Sequence, residues 1–179
     1  MSPACLLAGC FHILNPVAEG RQQVQGLGVG AGMALALKRR GSPARVIVMV
    51  GDGELYEGAV WEAVMFSAHH RLDNLILIVD DNTRCMLNYS KQVLDIFPVA
   101  RRFEIFGWRS LEVDGHDIPR VHAALRDVKE APDGRPAVVV AHTVKGRGVP
   151  ALECNPMCHI ITLKSDEIDR LLGESADAS

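Results

Sequence analysis

Three short runs of nearly unbroken aliphatic residues, at 46–50, 75–79 and 137–141, limit the folds open to this chain more than any other feature. Each has the length of a strand and lacks polar alternation, which is the pattern of strands covered on both faces in a parallel sheet. A fourth run at 110–113 is shorter and mixed. Between the runs the period becomes helical. Residues 57–70 place Val60, Trp61, Val64, Met65 and Ala68 at three- and four-residue spacings, and residues 118–129 do the same with Val121, Leu125 and Val128. Strand–helix–strand alternation with right-handed crossovers predicts an α/β fold, a three-layer sandwich with a mostly parallel sheet.

Residues 26–40 read as a further helix despite four glycines. Gly28, Gly32 and Ala36 fall four apart on one face. Each glycine costs ~1 kcal/mol against alanine in a helix, so this face is expected to pack backbone-close against another helix or a ligand. A glycine-rich loop is the competing reading. Gly41-Ser42-Pro43 ends the segment. Residues 1–25 have no clear period. The apolar start, with Cys5, Leu6, Leu7, Cys10, Phe11 and Ile13, has neither a basic leader nor a clear cleavage site, so no signal peptide is assigned. The organisation expected is an unmatched segment 1–25, a domain at 26–173 and a small polar tail at 174–179.

At 48% hydrophobic and 23% charged residues the composition is that of a globular protein, and a net charge of −3 argues against a nucleic-acid partner. No apolar run reaches the ~20 residues that span a bilayer. Five cysteines form no disulfide framework, which fits reduced thiols in the cytoplasm. Cys154, Cys158 and His159 have no second pair of ligands at zinc-site spacing.

In open parallel sheets, ligands sit outside the carboxyl ends of the strands. Gly51-Asp52-Gly53 and Asp81-Asn82 both fall on that edge, one strand–helix–strand unit apart. If the two strands are neighbours, Asp52 and Asn82 converge. A carboxylate and an amide carbonyl are hard oxygen ligands suited to Mg²⁺ or Ca²⁺, and Mg²⁺ usually combines few protein groups with phosphate oxygens. A metal–diphosphate site follows, with Gly51 and Gly53 admitting the phosphates without a Cβ and the following helix N-terminus favouring anions. Taken alone, Gly-Asp-Gly reads more readily as a tight turn.

The surrounding sequence narrows this. The run Gly51-Asp52-Gly53-Glu54-Leu55-Tyr56-Glu57-Gly58-Ala59-Val60-Trp61-Glu62-Ala63, then Leu72-Asp73-Asn74-Leu75-Ile76, then Asp80-Asp81-Asn82, closely resembles the thiamine-diphosphate motif of transketolases. The resemblance continues through Phe106-Gly107-Trp108, Val113-Asp114-Gly115-His116-Asp117 and Thr143-Val144-Lys145-Gly146-Arg147-Gly148-Val149, and covers about residues 26–173. It implies the thiamine diphosphate-binding fold, with Gly51, Asp52, Gly53, Glu54 and Asn82 as the cofactor-binding set. Asp52 and Asn82 would hold the metal through side chains and Arg84 through its backbone carbonyl. Glu57 matches a family glutamate at the subunit interface that joins a proton relay between two cofactors. Its simpler reading is a helix N-terminal glutamate facing the dipole. The implied reaction moves a two-carbon ketol unit from a ketose phosphate to an aldose phosphate.

The resemblance also implies a partner. Only the diphosphate-binding domain is matched, and the family's site is completed by a pyrimidine-binding domain, here expected on another polypeptide in a heterotetramer or a dimer of such pairs. The isolated chain is expected to be inactive. The family's front segment is unmatched, Arg21-Gln22-Gln23-Val24 stands where the family carries a Gly-x-Leu-Gly stretch, and a family histidine falls on Ile160 with His159 one place early. These departures support an alternative, a truncated, non-catalytic remnant or a binding subunit of the same fold. A deoxyxylulose-phosphate synthase or a 2-oxoacid dehydrogenase subunit agrees less well with the matches at 54–63 and 144–149. His69, His70 and His116 are expected to be structural.

Overall fold

The computed structural model describes residues 11–14 (backbone only), 26–85, 88–153, 155, 158, 164, 167–168 and 170–171. In chain order these form β1 (Phe11–Leu14), α1 (Gly26–Arg39), β2 (Arg45–Gly51), a 3-10 helix (Asp52–Tyr56), α2 (Gly58–His69), β3 (Leu75–Asp81), α3 (Ser90–Val93), α4 (Val99–Ile105), β4 (Arg109–Asp114), α5 (Ile118–Glu130), β5 (Ala137–His142) and α6 (Pro150–Glu153). The strand order is β1-β2-β3-β5-β4 and every neighbouring pair is parallel. Each predicted strand and long helix is present, with ends shifted by one or two residues. Arg21–Val24, Cys154, His159 and Ile160 lie outside the described residues.

Two apolar layers sandwich the sheet. Leu27, Ala31 and Ala34 of α1, Val60 and Val64 of α2, and Val99 and Phe103 of α4 pack on Val46, Val48, Leu77, Val79, Val138 and Val140. Ala124 and Val128 of α5 cover Ile76, Ala137 and Val139 on the opposite face. Alternate residues of β5 thus enter opposite layers, so its run is apolar throughout. Burying one such Val or Leu contributes roughly 1.5–3 kcal/mol. Asp117 starts α5 by accepting the Arg120 N–H at 3.0 Å, with a proline in the first turn. No described helix is long and apolar enough to cross a membrane.

One expectation needs correction and another is left open within the chain. First, β2 is not covered on both faces: its burial alternates, and Met49 is 39% exposed. The α5 layer lies mainly over β5 and β4 and reaches β2 only near its start, where Ile47 packs against it and Arg45 Nη2 donates to the Lys129 carbonyl at 2.6 Å. Second, the glycine stripe of α1 is not covered by the described part of this chain. Among the described residues a Cβ at Gly28 or Gly32 would meet nothing within 4 Å, and Val29 beside them is 51% exposed. Gly30 lies against the sheet instead, where a Cβ would stand 2.4 Å from Val48 Cγ2.

This contrast makes a prediction. Gly30→Ala should destabilise the chain by about 1–3 kcal/mol through overpacking. Gly28→Ala with Gly32→Ala should stabilise it by up to about 1 kcal/mol per site through helix propensity. Urea unfolding of the three proteins tests it, and equal destabilisation by both changes would show that the stripe is packed after all.

Candidate functional site at the carboxyl edge of the sheet

Parallel pairing brings the polar ends of the strands together. Gly51 registers with Asp80, Asp81 with His142, and His142 with Asp114. The aliphatic run of each strand stops where the polar residues begin, so this edge collects Asp52, Asp80, Asp81, Asn82 and Thr143. β2 and β3 are neighbours, so the segments that carry Asp52 and Asn82 follow adjacent strand ends.

Asp52 begins the 3-10 helix and is only 2% exposed. Its Oδ1 accepts the Gly53 N–H at 2.9 Å and its Oδ2 accepts the Ser90 hydroxyl at 2.5 Å. Burial pushes its carboxyl up to about 6. The nearby charges of Asp81 and Asp80 act in the same direction, and the Ser90 and Gly53 hydrogen bonds oppose it. Asp81 and Asn82 are also buried, and Asp81 Oδ1 has no hydrogen-bond partner among the described residues.

The segment after β3 is tightly turned. Thr83 adopts φ 59°, and the Arg84 N–H donates to Asn82 Oδ1 at 3.1 Å. Asn82 Nδ2 donates to Asp80 Oδ2 at 3.1 Å, and the Thr143 hydroxyl donates to Asp80 Oδ1. The Arg84 guanidinium lies 4.1 Å from the centre of the Tyr89 ring. Its backbone pairs with Tyr89 in an antiparallel bridge, so the carbonyl of Arg84 belongs to an ordered turn.

The glycine-rich loop is more self-contained than expected. The Gly51 N–H donates to Glu54 Oε1 at 2.8 Å, so Glu54 ties the loop internally. Burial raises the Glu54 carboxyl, opposed by that bond, and its Oε2 has no partner among the described residues. At Gly53 a Cβ would stand 3.3 Å from the Cys85 side chain, so this glycine allows the two loops to meet. The 3-10 helix separates the loop from α2, which begins at Gly58. Buried Leu55 anchors that extra turn, and the Trp61 indole donates to the Leu55 carbonyl at 2.7 Å.

Glu57 is exposed at the start of α2 and makes no side-chain capping bond. His116 has a structural bond: its Nε2 accepts the Val144 N–H at 2.8 Å, joining the loops after β4 and β5. Beyond Asp81, His142 contacts Asp81 Oδ2 at 3.0 Å and Glu112 Oε2 at 2.8 Å. These groups border a cleft of about 400 Å³ with Lys91 and Phe97 in its wall.

Sequence reasoning misses Ser90, Thr143 and His142. Thr143 and His142 have a usable signal, as polar residues where an aliphatic strand ends. Ser90 has none, because it reaches Asp52 only through the fold of the 83–90 segment.

An all-parallel α/β sheet defines a domain whose ligand site lies at the carboxyl edge of its strands, where these acidic residues collect. Residues 25–174 match the family model described as transketolase, thiamine diphosphate binding domain, and the chain belongs to that family. It is 40% identical over 152 residues to an apulose-4-phosphate transketolase subunit of Actinobacillus succinogenes, covering 85% of this chain and 54% of that protein. It is 32% identical over 142 residues to the 6-deoxy-6-sulfo-D-fructose transketolase subunit of Clostridium sp., covering 79% and 51%. The structure of transketolase from Campylobacter jejuni superposes with a TM-score of 0.73 at 27% identity, over 88% of this chain and 25% of that one. The chain spans about half the length of the curated subunit relatives it matches. Both of those relatives are named as one subunit of a transketolase, which implies a second subunit for those proteins.

Proposed function

We propose that this chain is the diphosphate-binding subunit of a two-subunit transketolase, with Mg²⁺ held by Asp52, Asn82 and the Arg84 carbonyl. The observation that carries the reading is the buried acidic edge. Asp52 lies beside two further carboxylates, yet its hydrogen bonds come from a hydroxyl and a backbone N–H, both uncharged. A buried carboxylate without a cation is unfavourable, and a divalent ion resolves it. The donors are hard oxygens, which fit Mg²⁺.

Bound thiamine diphosphate would supply the reactive centre for moving a two-carbon ketol unit between sugar phosphates, and the chain's residues would anchor and orient its diphosphate end. The pyrimidine end would be received by a partner subunit. The face formed by α1 and α2 suits such a partner: Gly28 and Gly32 are open, and Val29, Met65 and Phe66 are exposed. Glu57 is exposed at the start of α2, where a relay role would have it meet the partner.

Calorimetry with thiamine diphosphate and Mg²⁺ tests the reading. Weak or no binding is expected for the chain alone, and tight Mg²⁺-dependent binding once a pyrimidine-domain subunit is added. Absence of binding by the reconstituted pair would reject the function. Tight binding by the chain alone would reject the need for a partner to complete the site.

A further inference from the structure

Ser90 opens α3 directly against the acidic edge and is fully buried. Three hydrogen bonds connect it to two segments. Its hydroxyl donates to Asp52 Oδ2 at 2.5 Å, its N–H donates to the Thr83 carbonyl at 3.1 Å, and its carbonyl accepts the Tyr56 hydroxyl at 2.6 Å. Thr83 lies between Asn82 and Arg84, and Tyr56 ends the 3-10 helix that starts at Asp52. One residue thus links both ends of the 3-10 helix to the turn that carries the other two metal donors.

The kind of donor matters. A lysine or arginine at this position would compete with a cation for the carboxylate, whereas a hydroxyl is neutral. The Ser90 bond engages one lone pair of Oδ2 and the Gly53 N–H one of Oδ1, which fixes the carboxylate plane and leaves a lone pair on each oxygen. Groups that hold a metal ligand in this way set its orientation. We propose that Ser90 is a positioning residue for the divalent cation, holding the Asp52 carboxylate and the Thr83–Arg84 turn in mutual register. The inference rests on the metal site described above.

The test uses Mn²⁺ with thiamine diphosphate as the probe, read by water-proton relaxation on the chain together with its pyrimidine-domain subunit. Ser90→Ala is expected to weaken Mn²⁺ binding by about 10- to 100-fold, while Ser90→Thr, which keeps the hydroxyl, restores most of it. Tyr56→Phe removes a tether but leaves the Ser90 hydroxyl in place, so its Mn²⁺ affinity should stay near that of the wild type. If the alanine variant does not fold, Ser90→Cys, a weaker donor of similar size, carries the comparison. Wild-type affinity in the alanine or cysteine variant would overturn the role of Ser90 alone, as would an equal loss in the alanine and Tyr56→Phe variants. A wild-type pair that binds no Mn²⁺ with the diphosphate would instead reject the metal site itself.

Discussion

Replacing Asp52 with asparagine is expected to weaken Mg²⁺-dependent binding of thiamine diphosphate severely while making the metal-free chain more stable at pH 8. The two effects share one cause. Asp52 is buried, and its carboxyl is raised from an ordinary 3.8 to about 6 in the folded chain. The folded state therefore holds a proton at pH values where the unfolded chain has released it. Stability from this group is fully present below 3.8 and is lost as the pH rises through about 6. Above that, the ionised carboxylate costs about 3 kcal/mol, at ~1.4 kcal/mol per pH unit between the two values. Asparagine carries no charge and removes this slope, although its amide must find new hydrogen bonds beside Ser90 and Gly53. Urea unfolding between pH 5 and pH 8 should show a stability difference that grows in favour of the variant. A variant less stable than the wild type across that whole range would contradict the electrostatic account. Loss of a charged ligand should weaken cofactor binding by on the order of 100-fold or more, beyond the usual effect of a supporting group. Retained affinity would remove Asp52 from the metal site.

The same edge shows where sequence reasoning succeeds. The runs of β2, β3 and β5 can be located because an aliphatic stretch of strand length, bounded by glycine or charge, has few alternatives. Their polar ends then place Asp52 and Asn82 on one edge. β1 is not legible: four residues paired to β2 more than thirty positions away have no local signature. The 3-10 helix at Asp52–Tyr56 is hidden because Gly-Asp-Gly has the composition of a simple turn, and its helical form depends on burying Leu55.

The glycine stripe shows a different limit. Spacing by four marks a face but not what covers it, and Gly30, which falls outside the stripe, meets Val48. Ser90 is the clearest case. It sits in a segment with no period, and its contact with Asp52 spans 38 residues. What brings them together is the turn at Thr83, whose positive φ is not encoded by a glycine.

Trp108→Ala is expected to be the most damaging single core substitution for stability. Trp108 is 1% exposed, and its indole donates to the Val64 carbonyl of α2 at 3.0 Å. Its ring meets Phe103 of α4 at 5.5 Å in an edge arrangement, and Phe103 meets Trp61 of α2 at 5.3 Å. Trp61 in turn caps the 3-10 helix through Leu55. The aromatic stack thus joins the start of β4 to α4 and α2. Truncating a buried tryptophan costs ~3–5 kcal/mol, a large share of the ~5–15 kcal/mol that stabilises an ordinary domain. The thermal midpoint should fall by roughly 10–15 °C for a chain of this size. Trp108→Phe retains a ring against Phe103 and should lose less than half as much. Because Asp52 is held by Ser90 and Gly53 rather than by the stack, the folded fraction of the alanine variant should keep its cofactor affinity. Saturating Mg²⁺ and thiamine diphosphate, with the partner present, should then restore about 2.7 kcal/mol at a hundredfold excess over Kd. If the variant remains folded but no longer binds the cofactor, the stack shapes the site as well as supporting it.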